Sequence, residues 1–372
     1  MTEQGAWMGR PASSSRIRAL TVAAALWLAT PTAAGAQGRV LVKGIVDLEG
    51  WTTDSGSRLL TRNGGRPSMV GRVTAWGAAE VFPRVQLFAL AEVESETGSG
   101  EPTEVGIEQL GIRYIRSPAL VIEAGKTTTL VGAFANRRFS TTNPLIGRPD
   151  SYDVSYPLGA IASGTWSIFD YRVGLVSLPV VNRKYVPEAG SAARPAMGIG
   201  VTPTIGFRIG ASYTAGPYLN ANLGAAIPAN ADWKSYHQRI LGIDARFGRG
   251  HFESRGELAR SWYDVPNRAD PIPGTAGYLE LKQTWRPRLF TAVRVEGNDY
   301  PFIRPRPTGD WTATAVTFFN AELAVGYRID PLTLIKVGYR RDHWAVEPAL
   351  KGFFPNGYAL ALQISRRLDL LD

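Results

Sequence analysis

Four basic and two acidic side chains lie in one long segment that keeps no regular period. The segment, residues 126–164, reads KTTTLVGAFANRRFSTTNPLIGRPDSYDVSYPLGAIASG and is too rich in Leu, Val, Phe, Ile and Tyr for a flexible tail. Its charged members are Lys126, Arg137, Arg138, Arg148, Asp150 and Asp153. A structureless insertion of this length is uncommon in a compact domain and is usually functional or disordered. Because Arg and Lys at a narrow point attract anions, we predict a packed loop that selects solutes by charge.

Alternating strands must position this segment. In residues 40–51 one parity is occupied by Val40, Val42, Gly44, Val46 and Leu48, while Lys43, Asp47 and Glu49 share the other. Alternate side chains point to opposite faces, so this strand has an apolar face and a charged one. The pattern recurs in about sixteen segments, with short turns at one end and longer loops at the other. This predicts an all-β fold, a transmembrane antiparallel up-and-down β-barrel with residues 126–164 folded into the lumen.

Two features of this prediction stay open at the level of the sequence. The strand count could be 14, 16 or 18, because an alternating pattern does not mark strand ends sharply. Parity alone also does not tell which face is inside, so a secreted soluble β-protein is an alternative. The positions of the aromatic residues favour a membrane barrel over a soluble protein, because they fall on the apolar parity near both ends of the strands. Two such belts are expected at the interfaces of a barrel, although aromatics also favour strands in general.

The first residues predict export. Arg10, Arg16 and Arg18 precede an apolar run over residues 19–33, and Ala34-Gly35-Ala36 offers a small-residue cleavage site. This is the order of a secretory signal peptide, so we assign residues 1–36 to the signal and 37–372 to the barrel. A retained membrane helix is the alternative, but about fifteen apolar residues are too few to span a bilayer. The predicted location is therefore the bacterial outer membrane.

Charge and cysteine content exclude other classes. The chain of 372 residues has a net charge of +9, and removal of residues 1–36 leaves +7. The basic residues are spread along the chain, whereas a nucleic-acid reader gathers them on one face. There is no cysteine, which excludes disulfides and thiol chemistry. We expect outer-membrane lipid and small solutes as partners, and no nucleic acid.

The charged faces of the predicted strands carry both signs. A barrel of this size is too wide for side chains to fill, so charges can face water inside it at little desolvation cost. We expect the pore lining to include Arg72, Glu80, Glu123, Arg172, Arg208, Arg246, Arg255, Glu257, Lys282, Arg294, Glu296 and Lys336. Cross-strand ion pairing that stiffens the wall is the alternative role for many of them.

Nucleophilic or metal chemistry is not indicated. The three histidines are His237, His251 and His343, and none lies in a catalytic or ligand motif. Ser235 lies close to His237 in sequence, but nearness on a loop does not make a catalytic pair. We therefore expect no enzymatic activity, no cofactor and no metal.

Several stretches resemble bacterial outer-membrane porins. Residues 125–152, residues 156–164 and the stretch DYRVGLVS are similar to the inward-loop region of these proteins. GYLELKQTWRPRLFTAVRVE and AVGYRIDPLTLIKVGYRRD resemble later strands of the phosphate-selective porin O and porin P group. The resemblance implies a sixteen-stranded barrel, usually trimeric, that passes small hydrophilic solutes. Phosphate selectivity in that group depends on a dense basic ladder, whereas here basic and acidic residues are interleaved.

The predicted function is passive diffusion of small hydrophilic solutes through a porin with a mild anion preference. The arginines of residues 126–164 could instead pin the loop to wall carboxylates such as Glu123. A structural or adhesive barrel with a plugged lumen is the main alternative function, and an outer-membrane hydrolase is less favoured. Small outward residues, among them Gly44, Ala75 and Gly77, suggest a trimer contact, or else a smooth lipid-facing patch.

Overall fold

A computed structural model describes residues 39–54, 67–97, 103–133, 137–149, 155–178, 192–219, 227–305, 311–346 and 356–371. The predicted signal peptide, residues 1–36, lies outside this part of the chain. The strands are β1 (Val40–Thr53), β2 (Ser68–Phe82), β3 (Val85–Glu96), β4 (Glu104–Ser117), β5 (Leu120–Lys126), β6 (Leu158–Trp166), β7 (Phe169–Val176), β8 (Arg194–Thr204), β9 (Phe207–Pro217), β10 (His237–Arg249), β11 (Phe252–Tyr263), β12 (Ile272–Arg286), β13 (Leu289–Pro305), β14 (Trp311–Arg328), β15 (Thr333–Ala345) and β16 (Gly357–Leu371).

These strands form one closed ring. Each pairs antiparallel with its neighbours in sequence, and β1 pairs with β16, so the sheet has no free edge. The predicted all-β, up-and-down barrel of about sixteen strands is therefore confirmed. Within the described residues, no helix is long and apolar enough to cross a bilayer.

Two strand boundaries differ from the prediction. β6 begins at Leu158, so residues 158–164 belong to the wall and only residues 127–157 connect β5 to β6. The sequence also predicts a long loop over residues 298–311, whereas β13 and β14 continue to pair as far as Pro305 and Trp311. Continued cross-strand hydrogen bonding lengthens this hairpin, which the loss of clear alternation in the sequence had concealed.

The burial pattern decides which face is inside. Asp47 exposes 4% of its surface and the adjacent Leu48 exposes 47%. Lys336 exposes none of its surface, whereas the adjacent Val337 exposes 54%. The same inversion runs round the ring, with exposed Leu, Ile, Val and aromatic side chains on the outward rows. Such an apolar outer surface requires hydrocarbon around it, so the barrel spans a membrane.

The long-loop end carries a small hydrophobic core of its own. Tyr218, Leu219, Tyr263, Val265 and Ile303 are buried there in one cluster with Trp311. The Tyr218 hydroxyl donates to the Asp264 carbonyl at 2.9 Å, and its ring meets that of Tyr263 edge-on at 5.4 Å. The described parts of these loops are therefore packed against one another above the β8–β14 side of the wall.

Candidate functional site

The connection between β5 and β6 lies against the inner wall. It is called the β5–β6 loop below, and its described residues are 127–133, 137–149 and 155–157. The Gly132 amide donates to the Ser212 hydroxyl on β9 at 3.3 Å, and the Ala133 amide donates to the Glu257 carboxylate on β11 at 2.9 Å. These wall groups belong to inward rows, so the first limb of the loop runs inside the barrel.

Two basic wall residues complete this contact. Arg172 on β7 donates to the Gly132 carbonyl, and Arg246 on β10 donates to the Ala133 carbonyl, each at 3.2 Å. The loop backbone therefore meets both donors and acceptors from the wall. Because buried backbone groups need partners, these bonds define the path of the first limb.

Adjacent arginines then reach opposite walls. Arg137 hydrogen-bonds to Glu253 on β11 and Glu280 on β12. Arg138 forms an ion pair with Glu92 on β3, with a nitrogen–oxygen distance of 3.6 Å. In the ring, β3 and β11 are eight of sixteen positions apart, so they face each other across the lumen. The loop at Arg137–Arg138 therefore crosses the lumen and is tied to both sides.

The Arg138 guanidinium is held by aromatic rings as well as by charge. It lies 4.9 Å from the centres of the Phe139 and Tyr156 rings. Phe139 in turn stacks on Trp76 of β2 at 4.8 Å. Burial lowers the pKa of Arg138 to about 10, although the Glu92 charge opposes this change. The group therefore remains a cation at neutral pH.

A buried lysine anchors the returning limb. The Lys336 ammonium on β15 donates to the carbonyls of Ser140 at 2.9 Å, Asn143 at 3.0 Å and Leu145 at 2.8 Å. An ammonium has three protons to donate, so this site satisfies all of them with loop backbone. The loop is thus bound through main-chain atoms that no sequence motif would mark.

A carboxylate beside this lysine binds the next residues. Glu322 on β14 accepts hydrogen bonds from the amides of Ile146 at 3.0 Å and Gly147 at 2.8 Å. A Cβ atom at Gly147 would lie 2.7 Å from the Glu322 carboxylate, so a glycine is needed for this approach. Leu145 packs between Ala292 and Ala324 of the wall. Lys336 and Glu322 together fix the loop on the β14–β15 side.

The strand register places charged residues in one row on the inner wall, here called the inner charged row. Arg246 lies directly opposite Arg208 on one side and Arg255 on the other. The row then continues through Glu280, Arg294, Glu322 and Arg340. Its β9–β11 part is wholly basic, whereas its β12–β15 part alternates in sign.

The opposite wall carries mostly acids. Arg72 on β2 contacts Glu49 at 3.2 Å, Glu94 at 2.7 Å and Glu92 at 3.7 Å. Glu123 pairs with Arg113 on β4 at 2.5 Å, and not with a loop arginine. The acids of β1–β5 thus share few basic partners, and one of those partners is the loop residue Arg138.

Several predicted lining residues do face inward but do not face water. Arg294 and Lys336 have no exposed surface, Glu296 exposes 1% and Glu257 exposes 6%. Glu257 and Lys336 bind the loop, whereas Arg294 bonds to Glu322 at 2.7 Å and Glu296 accepts from Asn298 and Asn320. The wall beneath the loop is therefore a packed polar interior. The remaining predicted lining residues, including Glu80 and Lys282, lie on inward rows and are partly exposed.

Lys126 does not lie where the sequence suggested. It ends β5 opposite Leu110 and Leu158, which are exposed on the outer surface. Its ammonium donates to the Ile107 carbonyl at 2.5 Å. The prediction that Lys126 lies in the constriction is therefore wrong, because the strand extends one residue further and parity points it outward. Arg148 is half-buried near Arg138. Asp150 and Asp153 lie outside the described residues.

In the part of the chain that the structure describes, Ser235 and His237 do not form a catalytic pair. The Ser235 hydroxyl donates to the Asp232 carbonyl at 2.7 Å, and the His237 amide donates to the Asp264 carboxylate at 3.2 Å. Within the described part of the chain, no group of three or more His, Cys, Asp or Glu side chains could hold a metal ion.

Comparison with solved structures finds similar barrels at low identity. OmpF of Salmonella typhi in a complex with daunomycin superposes with a TM-score of 0.60 and 11% identity, covering 88% of this chain and 97% of that one. OmpT of Vibrio cholerae, an outer-membrane protein with its loop L8 deleted, gives 0.57 and 10% identity, covering 90% and 100%. OmpT expressed in the outer membrane gives 0.56 and 12%, covering 90% and 98%.

No family model and no curated protein matches the sequence. The structural likeness concerns the fold, which is that of outer-membrane barrels. The apolar outer rows place this barrel in lipid. The chain is therefore an outer-membrane β-barrel.

Proposed function

We propose that this protein is a porin that allows passive diffusion of small hydrophilic solutes across the outer membrane. The observation that carries the proposal is a closed ring of sixteen strands whose inward rows are charged and partly exposed. Rings of this size leave an aqueous channel between their side chains. The bonds that hold the β5–β6 loop across the lumen support its role as the constriction.

Planar-bilayer recording tests this function. The purified barrel should give stable stepwise openings in potassium chloride. A folded barrel without conductance would favour the second candidate, a structural or adhesive barrel with a plugged lumen. The observation behind that candidate is the cross-lumen contact of Arg137 and Arg138, which obstructs part of the lumen.

We propose that the constriction includes Arg137, Arg138 and Arg148, with Asp150 and Asp153 as further members, and that the pore mildly prefers anions. Arg137 and Arg138 are paired with carboxylates, so they supply little of this preference. Arg246 and Arg255 support it better, because neither forms an ion pair within 4.0 Å among the described residues. The acids of β1–β5 keep the preference mild. A reversal potential that shows cation selectivity in a salt gradient would contradict it.

The resemblance to the porin O and porin P group remains a hypothesis about ancestry. We propose no phosphate specificity, because the inner charged row carries both signs. We also propose that the protein is not an enzyme. An esterase assay of the purified barrel and its His237→Ala variant tests the hydrolase alternative, which requires an activity that the variant loses.

We propose a homotrimer that meets through the outer face of β1–β3. Small residues continue there across strands, because Ala75 lies opposite Gly44 and Ala91. Small residues let membrane proteins approach closely. Gly77 is a poor site for a test, since a Cβ atom there would lie 2.8 Å from the Leu41 carbonyl. Ala75→Trp should dissociate the trimer on native gels, while Val173→Trp on β7 should not.

A further inference from the structure

Acidic and basic residues are unevenly distributed on the outer surface. Most outward-facing positions of the described strands are apolar, and Asp299 is the one acidic residue among those positions. At the long-loop end, basic residues instead occupy outward positions on several strands. They are Lys126, Arg239, Arg260 and Arg341. A basic group beside hydrocarbon needs an anionic partner, and these positions have few acids of their own.

Strand geometry places two of these arginines at the membrane boundary. Arg239 and Arg249 share the outward row of β10, ten residues apart. Ten residues span about 33 Å along a strand. At a tilt of about 40°, this separation is about 25 Å along the membrane normal, which matches the height of the apolar band of such barrels. Between them lie the exposed Leu241 and Ile243. Arg239 therefore lies where the outer half of the hydrocarbon ends.

Arg260 lies next to Arg239 on the neighbouring strand. Arg239 is opposite Trp262, and Arg260 is opposite Leu241, so the two guanidiniums are diagonal neighbours. The Arg260 guanidinium lies 6.0 Å from the centre of the Trp262 ring and donates to the Thr275 hydroxyl. Arg239 donates to Asp264 at 3.3 Å through one terminal nitrogen, while 43% of its side-chain surface is exposed. Arg260 is exposed as well, so both guanidiniums can reach a ligand outside the barrel.

We propose that Arg239, Arg260 and Trp262 form a binding site for a phosphorylated lipid of the outer leaflet. Both guanidiniums donate to one lipid phosphate, an interaction that charge and planar geometry favour. Trp262 lies at the boundary between acyl chains and headgroup, where indole rings are commonly found. The exposed Leu241 and Leu258 beside the arginines contact the acyl chains. A lipid fits better than a dissolved anion, because the site faces outward and is bordered by apolar surface. The inference needs the membrane-spanning barrel and not the proposed pore function.

Native mass spectrometry of the detergent-purified barrel tests the site. The probes are lipid A with both phosphates, the same lipid with both phosphates removed, and inorganic phosphate. We expect lipid A with both phosphates to bind. The lipid without phosphates should bind at least about tenfold more weakly, because it lacks one or more charge-assisted hydrogen bonds. Inorganic phosphate at millimolar concentration should not displace the lipid, because it lacks acyl chains.

Matched variants locate the site. Arg239→Gln with Arg260→Gln should lose at least about tenfold in lipid A affinity, while Arg249→Gln, on the same row at the other interface, should keep it. Heat-modified mobility on gels confirms that each variant is folded. Equal binding of the two lipids by the unmodified protein would overturn the proposal without any variant. Unchanged binding by the folded double variant, or full displacement by inorganic phosphate, would also overturn it.

Discussion

Two parts of the inner charged row differ in the arrangement of their charges. On β9–β11 three arginines stand side by side, and on β12–β15 glutamates alternate with arginines. Like charges directly opposite each other destabilise a sheet, whereas opposite charges stabilise it. The alternating part is almost fully buried under the loop, while the basic part is only partly buried. Neutralisation by neighbours within the row is thus confined to its buried part.

The β12–β15 part and the β9–β11 part of the inner charged row have different roles. Burial of unpaired charge is costly, so the part beneath the loop must be nearly neutral. Arg208 is already bound by Asp170 at 2.7 Å and by Asp244. Arg246 and Arg255 form no ion pair within 4.0 Å among the described residues, and their partial exposure lets solvent screen their repulsion. The alternating part therefore binds the loop through Glu280 and Glu322. The basic part gives the loop one bond, from Arg246 to the Ala133 carbonyl, and otherwise faces the lumen.

The largest expected effect is from Lys336→Met, which removes the ammonium that binds three loop carbonyls. The three carbonyls and the Glu322 carboxylate lose a buried cation. The free energy of unfolding, measured in denaturant, should therefore fall by about 3–5 kcal/mol. The released loop should also give larger and noisier single-channel currents. Lys282→Met is the matched control, since Lys282 pairs with Glu253, a partly exposed group, and lies 5.4 Å from the centre of the Phe290 ring. That control should cost no more than about 1 kcal/mol. Equal effects of the two variants would contradict the division of tasks.

A smaller effect is expected from Arg137→Gln, which removes one of the loop's bonds to the alternating part and leaves those to Glu322. Glu280 is buried and would keep only the longer contact to Arg294, at 3.6 Å. We expect a loss of about 1.5–3 kcal/mol, the usual range for a hydrogen bond to a charged group. Denaturant unfolding measures it. Arg138→Gln should cost less, because its ion pair with Glu92 is also 3.6 Å long and has no hydrogen bond. A larger loss for Arg138→Gln would show that the β3 side is the stronger anchor.

On the basic part, Arg246→Gln with Arg255→Gln should change selectivity far more than stability. Two positive charges leave the water-facing wall, so the reversal potential in a salt gradient should move toward cations. Relief of like-charge repulsion should hold the change in stability within about 1 kcal/mol. Arg113→Gln, which removes one positive charge from the acidic wall, is the control. If its shift in reversal potential equals the shift per charge of the double variant, the basic part has no special role.

The smallest effect is expected at Asp330, on a short turn away from both parts of the row. Its carboxylate accepts hydrogen bonds from the amides of Leu332 at 2.7 Å and Thr333 at 2.8 Å, which lower its pKa. A lowered pKa in the folded state stabilises the fold above the ordinary pKa of Asp, and this contribution is lost as pH falls through the folded value. Asp330→Asn should therefore flatten the loss of stability below about pH 4 and leave conductance unchanged. Thermal unfolding as a function of pH measures it; an altered conductance would show that the turn is coupled to the lumen.

The sixteen strands were predictable because alternation is a local property. A strand that separates water from lipid must alternate along its own length, so residues such as Asp47 and Leu48 carry the signal themselves. Strand boundaries were missed where alternation in the sequence is weak but cross-strand pairing continues. Lys126 was assigned to the loop because alternation fades there, although pairing with Leu110 and Leu158 continues.

The site was predictable in its location but not in its contacts. The amino-acid sequence by itself determined that the chain alternates, that it forms about sixteen strands and which segment interrupts them. The tertiary structure alone decided that the charged face is inside, that Arg246 stands between Arg208 and Arg255, and that the loop crosses the lumen. The physical reason is that these features depend on ring closure and strand register, which bring together residues far apart in the chain. The three bonds of Lys336 show this most clearly, since they join a strand near the end of the chain to carbonyls that any residue could supply.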